Sequence, residues 1–445
     1  MSKLSRRLLA PLAVFGLALA MLLGAGVAFT DAPPAPPRDA QPRSASTGLA
    51  EVAARDDLAA TVTTLQSRLR RLPGDWDSWA ALGAAYVQQA RITADPTYYA
   101  KAEGALRRSL EERPDDNAAA FTGLAALAVA RHDFAAGLRL ARRAERLNPY
   151  SAAALGVRSD ALIELGRYEE AFAALQRMVD LKPGVASFTR ASYSYELRGD
   201  LEGARYALRE ALNLAGSPAD AAYAAYYLGE LAWNSGELRK AARHYAEGLR
   251  HDPSFTPLLA GRAKVAAARG RVKQALRDYQ TVVERLPQPS YVIEYADLLT
   301  SLGRDAEAAR QHAVVAAEQE LFRSQGVNVD LELALYDADH GRPGPALQAA
   351  RAEWDRRRSV HVEDAYAWAL HVNGRPAEAL PHAAAAERLG TRSALFAYHR
   401  GVIEAALGQD GAARRSLSRA LRINPHFSVL HAPRAKQLLS ELNGD

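Results

Sequence analysis

Eight glycines, Gly166, Gly199, Gly236, Gly270, Gly303, Gly341, Gly374 and Gly408, stand 33 to 38 residues apart. Each is followed five residues later by alanine: Ala171, Ala204, Ala241, Ala275, Ala308, Ala346, Ala379 and Ala413. An earlier unit has His132 in the glycine column and Gly137 in the alanine column. Glycine accepts a positive φ just past a helix end, so it stops one helix and reverses the chain. Alanine in the second helix lets the two helices approach closely. The pattern predicts a string of helical hairpins. A second period, Pro114, Pro149, Pro183, Pro253, Pro287 and Pro425, marks where second helices end.

Other columns fill in the unit. Trp79, Leu82, Gly83, Tyr86, Ala102 and Pro114 form one set, with about seven extra residues around Ala94 to Tyr99. Phe121, Leu124, Ala144 and Pro149 form a second, and Leu228, Gly229, Ala241, Tyr245, Gly248 and Pro253 a third. The last unit keeps Gly401, Ala413, Leu417, Ala420 and Pro425. These residues resemble the tetratricopeptide repeat, a unit of about 34 residues. The resemblance implies an all-α fold: an α-solenoid in which hairpins stack into a right-handed superhelix. It covers residues 73–426 as about ten units. Units seven to nine lack the closing proline, and the second helix of unit seven is expected to run on toward Phe322. Capping helices are expected over 49–72 and 427–445, because a terminal unit exposes a face its neighbours would cover. Asp337-Ala338-Asp339-His340-Gly341 and Asn424-Pro425-His426-Phe427 are also similar to stretches of exported actinobacterial tetratricopeptide proteins.

The N-terminus reads as a targeting segment. Lys3, Arg6 and Arg7 precede 22 uncharged residues, Leu8 to Phe29. At about 1.5 Å per residue, such a helix is long enough to cross a bilayer. The positive charges come first, so the remainder is expected on the far side of the cytoplasmic membrane. Residues 1–30 are therefore a membrane anchor or a cleaved signal, with Gly26-Val27-Ala28 as a cleavage pattern. Residues 31–48 carry Pro33, Pro34, Pro36, Pro37 and Pro42, an extended spacer. Exported, anchored or secreted protein is the expected location.

The net charge of +5 includes those three leading cations, leaving no case for nucleic acid as a partner. With no cysteine, thiolate chemistry and cysteine-based metal sites are excluded. No metalloprotease, nucleophile-elbow, phosphate-loop or dinucleotide motif occurs. The chain reads as a non-catalytic scaffold that needs no cofactor.

In the repeat family the first helices line the concave face, where peptides bind. The resemblance therefore implies that Tyr193, Glu196, Tyr223, Tyr226, Glu230, Trp233, Asp297, Asp364, Trp368 and His371 point inward. Aromatic and acidic residues together favour a basic or apolar segment of a protein partner. The basic clamp that relatives use for peptide C-termini is missing, since Arg262 and Lys264 stand alone. Two alternatives remain open. One is a ligand or metal sensor built on Asp339, Asp364 and His371; the other is an accessory subunit of an envelope enzyme.

Overall fold

The computed structural model describes residues 55–444. The N-terminal hydrophobic segment, the proline-rich spacer and the first residues of the capping helix lie outside them. Among the described residues there are 22 helices and no strand, numbered α1 to α22 in chain order. The first, α1 (Arg55–Arg71), and the last, α22 (His431–Asn443), flank ten hairpins. The first helices of these hairpins are α2 (Trp76–Thr93), α4 (Ala118–Ala130), α6 (Ala152–Glu164), α8 (Val185–Leu197) and α10 (Pro218–Asn234). They continue as α12 (Thr256–Ala268), α14 (Pro289–Ser301), α16 (Asp330–Asp339), α18 (Val360–Val372) and α20 (Ala394–Ala406). Each packs most closely on the helix that follows it.

The two columns do what their chemistry requires. All eight glycines have φ between 69° and 76°. His132 adopts the same left-handed turn at φ 60°. All eight alanines are buried, Ala308 being the most accessible at 3%. The seven additional residues of the first hairpin lengthen α2 and end it at Ala94, itself left-handed at φ 52°. In the seventh hairpin the second helix, α15 (Asp305–Ser324), runs on through Phe322 without a terminating proline.

Neighbouring hairpins interlock through small residues. Tyr245, on the second helix of the fifth hairpin, has no exposed surface. Its ring lies between Gly229 of α10 and Gly261 of α12, where an added Cβ would come within 2.3 and 2.4 Å of ring carbons.

The array also winds back onto itself. Turns of the early hairpins meet inter-hairpin loops roughly one superhelical turn later in the chain. His132 Nδ1 donates to the Asn328 carbonyl (2.6 Å), and the Val360 amide donates to Tyr168 Oη (2.8 Å). Thr391 Oγ1 donates to the Leu197 carbonyl (2.6 Å), and Asn424 Nδ2 to the Trp233 carbonyl (2.8 Å). The Arg357 guanidinium, buried, bridges Glu164 and Glu353. Apart from the local Arg357–Glu353 pair, these links join residues 191 to 196 apart. At about 34 residues per unit, that is between five and six hairpins per turn. Ten hairpins thus fill more than one turn, and the overlap rests on the first.

Candidate functional site

Closure of the superhelix turns its concave face into a cavity of about 470 Å³, within the range of about 300–1,000 Å³ usual for ligand sites. One wall comes from first helices, α8 to α18. The other comes from the first turn of α20 and the loops that enter α20 and α22, including Phe396 and Phe427. Leu302, Arg392 and Lys436 also line it and are exposed, so the cavity opens to solvent on that side.

Six carboxylates face this space: Glu196, Glu230, Glu294, Asp297, Glu332 and Asp364. Of the two lysines that line it, the half-buried Lys264 donates to both oxygens of Glu230 at 2.9 and 2.8 Å. Its ammonium also lies 5.6 Å from the Trp233 ring centroid. Tyr245 Oη donates to the same Glu230 at 2.7 Å. Glu294 accepts from Tyr279 Oη at 3.1 Å. Asp364 accepts from His399 Nδ1 at 3.0 Å through both oxygens.

Asp297 is different. It is 2% exposed and receives no hydrogen bond from the described residues. Its nearest imidazole nitrogen, His340 Nε2, is 3.6 Å from Oδ1. Nδ1 of the same ring donates to the Tyr336 carbonyl at 2.6 Å. The neutral imidazole therefore presents only a lone pair to Asp297.

The electrostatics follow from burial. Desolvation, with Glu230 nearby, pushes Glu196 up to about 8. Desolvation pushes Glu294 up to about 7 against the attraction of Lys264. Asp297 is held well above the usual carboxylate range by desolvation alone. Glu332 is raised by burial, with His132 opposing. A carboxyl with no counterion in low dielectric keeps its proton.

Behind the cavity lies a second polar cluster. Trp368 Nε1 donates to Asp339 at 2.7 Å. The indole stacks between His371 and His399, with centroids at 5.1 and 4.2 Å. His431 Nε2 stands 3.6 Å from Asp339. Burial pushes His371 and His340 down to about 4. Among the described residues no group of three or more histidines and carboxylates is placed to hold a metal ion.

The ten residues expected at a concave binding face therefore divide. Glu196, Glu230, Trp233, Asp297 and Asp364 line the cavity. Tyr193, Tyr223, Tyr226, Trp368 and His371 do not; they pack between helices. Tyr193 Oη is 3.1 Å from His361 Nε2 across the superhelical overlap. Tyr223 and Tyr226 meet Tyr227 edge-on at 4.9 and 5.1 Å. Arg262 and Lys264, the basic pair that stands alone in the sequence, are each held by an acid: Arg262 pairs with Asp278 at 2.8 Å and Lys264 with Glu230. Sequence reading missed Glu294 and Glu332, which lie nine residues before Gly303 and Gly341. That shared offset was a readable signal. Phe396 and Phe427 had none, because they reach the cavity only through the overlap.

Comparison with known proteins adds a match over two stretches of the array. Residues 122–186 and 261–319 match the tetratricopeptide repeat family model. The same helix pairing and turn geometry recur in the remaining hairpins, so the fold of the described residues is an all-α solenoid that contains tetratricopeptide repeats. No curated protein sequence matches the chain. Several solved structures are similar to the chain at low identity. A tetratricopeptide repeat protein from Parabacteroides merdae is 19% identical, with 59% of this chain and 99% of that one covered, at a TM-score of 0.33. Yeast Tom70 is 13% identical, with 83% and 96% covered and a TM-score of 0.33. The human IFIT1 dimer with m7Gppp-AAAA is 15% identical, with 74% and 76% covered and a TM-score of 0.46.

Proposed function

We propose that this protein is a non-catalytic interaction scaffold of the cell envelope whose solenoid receives a segment of a partner protein in its acidic cavity. The observation that carries this reading is the cavity: six carboxylates and the rings of Trp233, Tyr279, Phe396 and Phe427 around solvent-connected space. Interaction sites favour aromatic side chains that combine contact area with a polar edge. The repeat fold supports a binding role, since stacked hairpins build extended surfaces rather than catalytic constellations. Placement at the envelope rests on the sequence alone: three cations followed by 22 uncharged residues at the N-terminus. Among the described residues no helix is long and apolar enough to cross a membrane.

A photoreactive residue at Trp233 in the full chain tests the reading in native membranes. Specific crosslinked partners are expected, and they should be lost when Phe427→Asp fills the cavity wall with charge. Capture that is indifferent to that substitution contradicts the cavity as the binding site.

A further inference from the structure

One of the cavity's own side chains shows how an ammonium sits among its carboxylates. Six residues before the glycines that end three successive first helices stand Glu230, Lys264 and Asp297. Lys264 gives its ammonium to Glu230 at 2.8 and 2.9 Å, with the Trp233 face beside it. On the other side of that lysine, Asp297 occupies the equivalent position one helix on. It is 98% buried, accepts no hydrogen bond from the described residues, and faces a lone pair of His340. Glu294, one turn earlier on the same helix, lines the same space and has Tyr279 as its donor. Glu332 adds an oxygen, Oε2, with no partner among the described residues.

Counting charges around the space sharpens the point. Six carboxylates face it, against the half-buried Lys264, His361 and His426 and two exposed rim cations, Arg392 and Lys436. A buried carboxylate without a partner is costly, and the cost is removed by a proton or by a cation with N–H donors. A primary ammonium supplies three donors in a compact head on an apolar stem. The rings and Leu298, Leu331 and Leu335 along the walls suit such a stem.

We infer that the cavity carries a binding site for an aliphatic primary ammonium group, held by Asp297 and Glu294 with Glu332 alongside. This rests on the reading of the cavity as the interaction site and names the group recognised there. Two sources share this chemistry, a lysine side chain of a partner protein and a free alkyl diamine. The raised proton affinities of Glu294 and Asp297 describe the same vacancy from the other side: a cation that enters displaces their protons. Glu196, Glu230, Lys264, Glu332, Asp364, His361, His426, Arg392 and Lys436 all face the same space and set its field. Binding therefore releases protons and strengthens as pH rises from 6 to 8.

Calorimetric titration of the full chain tests this with three probes. One is 1,5-diaminopentane, the second a lysine tripeptide with blocked termini, and the third the same tripeptide with the lysine Nε acetylated. Saturable binding of the diamine or the unmodified tripeptide, at least tenfold weaker for the acetylated one, is expected. Tighter binding of the tripeptide assigns the ammonium to a protein partner, and tighter binding of the diamine assigns it to a free amine. Asp297→Asn and, separately, Glu294→Gln should each weaken binding at least tenfold while the melting temperature stays at or above that of the parent. If Asp297→Asn does not fold, Glu294→Gln and the proton release measured in buffers of different ionisation enthalpy carry the test. Absence of binding by both amines, equal binding of the acetylated peptide, or indifference to the substitutions overturns the inference. Partner capture at Trp233 that persists with no amine binding would overturn it while leaving the scaffold reading intact.

Discussion

The Arg357 guanidinium donates to the Glu164 carboxylate across 193 residues of chain, with both side chains buried. Glu353 holds the same guanidinium from the other side. Burial lowers the proton affinity of the arginine, but the two carboxylates outweigh it and raise it overall. This is the central tie between the two turns of the solenoid.

Removing one member of a buried ion pair leaves the other charge uncompensated, at a cost of about 3–5 kcal/mol. Arg357→Ala should lose about that much in urea denaturation. Adding Glu164→Gln should recover part of it, because the stranded carboxylate is then gone. A loss below about 1 kcal/mol would show that the tie contributes little.

Two glycines with the same backbone should respond unequally. Gly199 has φ 72° and Gly270 has φ 71°, so alanine at either pays the left-handed penalty of about 1–2 kcal/mol. At Gly270 an added Cβ meets nothing within 4 Å, whereas at Gly199 it would stand 2.4 Å from the Gly390 carbonyl oxygen. Gly199→Ala should therefore destabilise by more than Gly270→Ala, and only the first should expand the particle in small-angle scattering. Equal effects would mean that the overlap does not press on Gly199.

Much of this architecture was legible in the chain. The hairpins, their count and their turns follow from the Gly and Ala columns, because a positive φ and a close helix approach are local demands. The extension of α15 followed from the missing proline. The overlap was not legible. The small rotation between neighbours adds up over five or six units, and the residues that meet, such as Thr391 and Leu197, match in no column. For that reason Trp368 and His371 read as concave-face residues, although the second turn and the Asp339 cluster bury Trp368.

The Trp368–Asp339 bond should be worth more than its charge suggests. Burial holds the Asp339 carboxyl well above its ordinary range, against the hydrogen bond from Trp368. Trp368→Phe leaves a buried acceptor unpaired and should cost about 1–3 kcal/mol. Asp339→Asn keeps a neutral acceptor of the same shape and should cost less. Thermal melts of both variants decide the order.

Stability should peak near pH 6.5. Glu196 rises from 4.5 to about 8 and Glu294 from 4.5 to about 7, so the folded chain keeps protons that the unfolded chain releases. Their contribution is complete below 4.5 and is lost as pH rises through 7 to 8. Four imidazoles, His312, His340, His361 and His371, fall from 6.5 to about 4, so the unfolded chain binds the extra protons; they outnumber the two glutamates between 4.5 and 6.5, and stability drops as pH falls from 6.5 toward 4. Melting temperature against pH should show both flanks, and Glu196→Gln with Glu294→Gln should flatten the alkaline one.

Closure of the solenoid into an overlapping turn is the claim on which the cavity depends. The chain has no cysteine, so two can be introduced for spin labels without background. Asp200 and Arg392 are exposed and flank the contact between Gly199 and Gly390. Pulsed electron resonance on that pair should give one narrow distance at the short end of the measurable range. A broad distribution centred at long distance would show an open solenoid, and with it no enclosed cavity.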